Sequence, residues 1–65
     1  MMIDLLSTAE TAALLRVPAG TLRYWRHIET GPKSVRLGRR VLYSRTDLDA
    51  WLEREFERTG RGGVS

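Results

Sequence analysis

The side chains with the most to offer chemically are arginines. Between residues 16 and 45 stand Arg16, Arg23, Arg26, Lys33, Arg36, Arg39, Arg40 and Arg45, opposed by Glu29 alone, so this stretch carries a formal charge of +7. The remainder of the 65-residue chain holds three basic and seven acidic residues, a charge of −4. A guanidinium is a planar fork of N–H donors that clamps two oxygens of a phosphate or carboxylate at once. Positive charge concentrated in one segment, with an acidic remainder that limits indiscriminate sticking, is the footprint of a polyanion binder. The bland alternative is a set of solvated arginines that only confer solubility.

Other chemistry is poorly provided for. There is no Cys, and His27 is the one His, which excludes a disulfide framework and leaves no zinc cluster. Ser7 and Ser44 sit at capping positions, the carboxylates lie at caps or on charged helix faces, and no Gly-rich phosphate loop or nucleophile–base set occurs. An enzyme, a cofactor and a bound metal are therefore not expected. The apolar runs are short and the N-terminus has no signal-peptide pattern, which predicts a cytoplasmic protein with no membrane association.

The arginines need elements to hold them. Ser7-Thr8-Ala9-Glu10 has the spacing of a capping box, which predicts a first helix of about two turns that Val17-Pro18 stops. Pro18 is tolerated in a first helical turn, so a second helix should run from Pro18 or Ala19 to His27 or Ile28. Leu22 and Trp25 supply its apolar face, and a Trp at core spacing is read as packing rather than as a base-stacking surface. Two short helices joined this tightly cross each other as a helix-turn-helix. Thr30-Gly31-Pro32 then forms a loop.

After that loop the period changes from helical to alternating. If Gly38-Arg39-Arg40 is a three-residue turn, Val35, Leu37, Val41 and Tyr43 share the core face, with Arg36 and Leu42 on the other. A two-residue turn would instead pair Leu37 with Arg40; the three-residue turn is preferred because it keeps the apolar set together. Ser44-Arg45-Thr46-Asp47 reads as a second capping box, with Tyr43 stapled to Leu48. A third helix follows, its buried stripe made by Leu48, Trp51, Leu52 and Phe56. The expected domain covers residues 1–58, and residues 59–65, rich in Gly, are expected to be a flexible tail.

In this order the segments resemble the excisionase and AlpA-like branch of the MerR superfamily. The resemblance rests on Leu5-Leu6-Ser7-Thr8-Ala9-Glu10-Thr11-Ala12, Thr21-Leu22-Arg23-Tyr24-Trp25, Arg36-Leu37-Gly38-Arg39-Arg40, and Ser44-Arg45-Thr46-Asp47-Leu48-Asp49-Ala50-Trp51-Leu52. It implies a winged helix-turn-helix, mainly α with a small β hairpin: three helices plus a two-stranded wing. Members of the group bind double-stranded DNA; phage members bias an integrase toward excision, and others regulate transcription. The sequence departs from the family where Pro18-Ala19-Gly20 replaces more polar residues, which lowers its capacity to discriminate bases. It departs again at Leu42, an outward position that suits a protein neighbour.

With the second helix in a major groove, Gly20, Thr21, Arg23, Tyr24 and His27 face the duplex and Arg26 lies to the side. The resemblance assigns Arg23 and Tyr24 to phosphate; Thr21, Arg26 and His27 are read as base or groove-edge contacts, and Gly20 as a point of close backbone approach. Arg36, Arg39 and Arg40 are placed in or beside a minor groove, and Arg16, Lys33 and Arg45 on flanking phosphates. Arg54 and Arg58, interleaved with Glu, are read as solvated surface. A module this small covers about 600 to 1,000 Å² of DNA, so several copies are expected to associate cooperatively, bend the DNA and help a phage integrase in the host nucleoid. A transcription regulator shares every one of these contacts, whereas a protein-interaction adaptor would use Leu42, the third helix and the tail.

Overall fold

In the computed structural model the described residues, 4–60, run β1 (Leu5–Ser7), α1 (Thr8–Leu15), α2 (Ala19–His27), β2 (Val35–Leu37), β3 (Arg40–Ser44) and α3 (Arg45–Thr59). The expected winged helix-turn-helix class is the one observed, with one addition: β1 joins the wing to make a three-stranded antiparallel sheet of order β1-β3-β2. Most of the expected tail, residues 61–65, lies outside the described residues, and α3 continues to Thr59.

Local chemistry explains the helix limits. The Ser7 hydroxyl accepts the Glu10 amide at 3.0 Å, and the Glu10 carboxylate accepts the Ser7 amide at 2.8 Å, completing the capping box. α1 ends before Val17-Pro18, because Arg16 turns left-handed at φ 59°. The Arg16 and Val17 amides then donate back to the Ala13 and Ala12 carbonyls, a Schellman closure. α2 ends the same way: Glu29 is left-handed at φ 56°, and the Thr30 amide donates to the Trp25 carbonyl at 2.8 Å. At α3 only half of the expected capping box forms. The Ser44 hydroxyl accepts the Asp47 amide, but the shorter Asp side chain makes no return bond of the kind Glu10 makes.

The hairpin corrects the expected register. Val35 pairs with Leu42, Arg36 with Val41 and Leu37 with Arg40, so the turn has two residues, Gly38 and Arg39. Gly38 takes the positive φ (62°) that a tight hairpin turn of this length requires at its first position. Directly paired residues share a sheet face. Val41 and Tyr43, with Leu6 from β1, therefore face the helices, and Val35, Leu37 and Leu42 line the opposite face. Arg36, expected on the outer face with Leu42, lies on the helix side.

The core consists of Ala12, Leu22 and Tyr43, all buried, with Leu6, Leu15, Val17, Trp25 and Val41 packed against them. Ala12 is the small residue that lets α1 approach its neighbours. Burial of Leu22 alone contributes about 2 to 3 kcal/mol. Trp25 and Trp51 meet at 5.9 Å between ring centroids, joining α2 to α3, and Leu48 is buried as expected. Phe56 is not: it is 74% exposed, because α3 outruns the elements it packs against.

Candidate nucleic-acid interface

α2 is held by one face and leaves another open. Leu22 is buried and Trp25 and Arg26 half-buried, while Gly20, Arg23, Tyr24 and His27 are exposed. The spacing of those four, i, i+3, i+4 and i+7, makes a continuous stripe along one side of the helix. No acidic residue occurs within α2, so the stripe carries positive charge and hydrogen-bonding groups without internal neutralisation. A Cβ built on Gly20 meets nothing within 4 Å, leaving the helix backbone open at its first turn. Thr21 is half-buried at the margin of the stripe.

Arg26 belongs to neither face in a simple way. Its Nη1 donates to the Tyr43 hydroxyl at 2.7 Å and to Thr8 Oγ1 at 3.3 Å, and its Cζ lies 6.0 Å from the Tyr43 ring centroid. The guanidinium thus ties α2 to strand β3 and to the start of α1. Tyr43 is fully buried, so its hydroxyl needs a partner inside the fold, and Arg26 supplies it. The requirement of a buried Tyr hydroxyl for a donor or acceptor is the signal by which sequence reasoning could have found this link; Thr8 was missed with it.

The wing carries arginine on both faces and at its tip. Arg36 shares a face with Val41, Arg40 shares the other with Leu37, and Arg39 sits in the turn; all three are exposed. Lys33 is exposed in the loop leading to β2, and Arg16 at the α1–α2 turn. Arg45 differs, since its Nε donates to the Asp49 carboxylate at 3.2 Å one turn along α3 and its charge is partly answered locally. Arg58 pairs with Glu55 at 2.7 Å, and this hydrogen bond holds the Glu55 carboxyl below its ordinary value. Both residues lie on the solvated side of α3. No helix among the described residues is long and apolar enough to cross a membrane.

Residues 5–55 match the family described as the helix-turn-helix domain. The chain belongs to that family. The match spans β1 through most of α3, so α1 and α2 are the helix-turn-helix, and the polyanion anticipated from the charge pattern is DNA. No curated protein and no solved structure matches the chain. In helix-turn-helix domains generally the second helix is the one laid in a major groove. The side of α2 left open in this chain is the Gly20, Arg23, Tyr24 and His27 stripe.

Proposed function

We propose that the domain lays α2 in the major groove and its wing in the neighbouring minor groove, bends the duplex, and acts as an excisionase that directs a phage integrase toward excision. The observation that carries the DNA contact is the α2 stripe, free of carboxylates, mechanically tied through Arg26 and Tyr43 to the arginine-bearing wing. Arg23 and Tyr24 take phosphates, Thr21 and His27 take base or groove edges, and Arg36, Arg39 and Arg40 follow the minor groove. Arg16, Lys33 and, more weakly because of Asp49, Arg45 take flanking phosphates. Arg26 acts by holding α2 against the wing, a positioning role in place of the edge contact expected from its sequence position.

Arg16 stands exposed in the turn between α1 and α2, where its guanidinium can reach a flanking phosphate. The excisionase reading is supported by the ordered resemblance from Leu5 to Glu53. It places the protein in a bacterial host cytoplasm, on the nucleoid, with integrase and further copies of itself as partners. Bending costs on the order of 1 to 6 kcal/mol over a short site, offset by added phosphate contacts.

The test pairs a circular-permutation gel with a recombination assay on the attachment sites of the integrase, with and without the protein. Bent DNA and excision that depends on the protein are expected. Straight DNA with excision unaffected would contradict the role and favour a transcription regulator using the same contacts.

A further inference from the structure

At the tip of the wing a large apolar side chain stands among arginines. Because the turn has two residues, the tip consists of Leu37, Gly38, Arg39 and Arg40, with Leu37 paired to Arg40 on one sheet face. That face opens toward the tip: Leu42 is half-buried, Val35 is 37% exposed and Leu37 54%. A Cβ built on Gly38 would meet nothing within 4 Å, so the turn projects freely. From Thr30 to Thr46 the chain has no carboxylate. A single exposed Leu is ordinary on a protein surface. Leu37 differs because Arg36, Arg39 and Arg40 around it, all exposed and unanswered by acid, draw it against phosphates.

We infer that Leu37 is an apolar wedge that enters a minor groove between two stacked base pairs and kinks the duplex at that step. In this role, which rests on the DNA-binding reading and its wing in a minor groove, Leu37 is the side chain that produces the bend. The minor groove is about 6 Å wide and the strands of a hairpin lie about 4.8 Å apart, so the tip rests on the mouth of the groove and its side chains reach the floor. The arginines there take rim phosphates and the acceptors of the base edges. Leu37 has no hydrogen bond to offer those edges, and held beside Arg40 it leaves water by entering the stack. Wedges of this kind kink DNA by about 20 to 90°. Pyrimidine–purine steps such as TpA open most easily, so the wedge selects them without a hydrogen bond to any base. The domain thereby gains a sequence preference that does not depend on α2, whose first turn offers Ala19 and Gly20.

The experiment uses a duplex of roughly 25 base pairs with a central TpA step, its adenine replaced by 2-aminopurine, whose fluorescence is quenched by stacking, and with dyes on the two ends. A second duplex of the same composition lacks a TpA step. Binding of the parent protein is expected to raise the 2-aminopurine signal, to shorten the dye-to-dye distance, and to favour the TpA duplex roughly fivefold to tenfold. Leu37→Ala loses all three effects. It keeps the parent's circular-dichroism spectrum, the side chain being more than half exposed, and the parent's slope of log K against log salt, since no charge is removed. Leu37→Met, still a flexible apolar wedge, retains the three effects. A parent protein that binds while the 2-aminopurine stays dark would overturn the wedge and leave DNA binding standing. So would a bend that survives Leu37→Ala but not Arg39→Ala combined with Arg40→Ala, which would assign the bending to charge. Absence of binding to either duplex would remove the DNA-binding reading and the wedge with it.

Discussion

The Arg26 guanidinium and the Tyr43 hydroxyl, 2.7 Å apart, join the middle of the protein's exposed helix to the central strand of its wing. Removing either partner is expected to have unequal effects. Tyr43→Phe leaves a half-buried Arg that still reaches Thr8 and water, at a cost of about 1 kcal/mol. Arg26→Ala strands a fully buried hydroxyl and removes the packing of the Arg stem, at a cost of about 2 to 3 kcal/mol. Urea unfolding should give that order, and the double variant should cost less than the two singles together. Additive effects, or a Tyr43→Phe protein weaker than Arg26→Ala, would show that the pair does not couple helix and wing.

Arg16→Gly should separate stability from binding. The left-handed φ of 59° favours Gly, so the variant is expected to be more stable by about 1 kcal/mol in thermal or urea unfolding. It should also bind DNA more weakly at every sequence, because a flanking phosphate no longer has a guanidinium to clamp it. A variant that gains stability and keeps full affinity would remove Arg16 from the interface.

Gly31 is held by its neighbour as well as by its own backbone. Its φ is +82°, and an added Cβ would stand 2.9 Å from Cε3 of Trp25. Gly31→Ala should therefore destabilise the fold by about 2 kcal/mol. Gly20→Ala, with open space ahead of it and a helical position, should stabilise by about 0.5 kcal/mol. Similar effects at both sites would contradict the packing of the Gly31 loop on Trp25.

Trp25 and Trp51 bridge the helix-turn-helix to α3. Each single Ala substitution should cost about 3 kcal/mol, enough to unfold much of a domain this small. The double variant should reveal a coupling of about 0.5 to 1.5 kcal/mol for the ring pair. A well-folded Trp25→Ala protein impaired only in DNA affinity would instead make Trp25 a contact residue.

What was legible in the sequence was what is local. Ser7 with Glu10, Pro18 ahead of Ala19, and Ser44 before Arg45 carry their helix starts in a few neighbouring residues. The register of the hairpin was not legible, because apolar residues occupy both faces. Val35, Leu37 and Leu42 balance Val41 and Tyr43, so the pattern does not choose between turns that differ by one residue. β1 was missed because its three residues gain their meaning only from Ser44, Tyr43 and Leu42, far along the chain. Phe56 has perfect helical spacing to Leu52, yet no element of this small domain extends far enough to cover it. For the candidate site, the exposed stripe of α2 follows from the 3.6-residue period once Leu22 is taken as buried. The inward turn of Arg26 does not, since it depends on a hydroxyl on another element.

The central claim, that the α2 stripe and the wing together grip the phosphates of a duplex, is tested most directly by the salt dependence of DNA binding in the parent protein, Arg23→Ala, and Arg39→Ala combined with Arg40→Ala. With roughly six phosphates neutralised, log K should fall against log salt with a slope of about −5 to −6. Arg23→Ala should make that slope shallower by about one, and the wing double variant by about two with reduced preference for A·T sites. A near-zero slope in the parent, or three identical slopes, would contradict the claim.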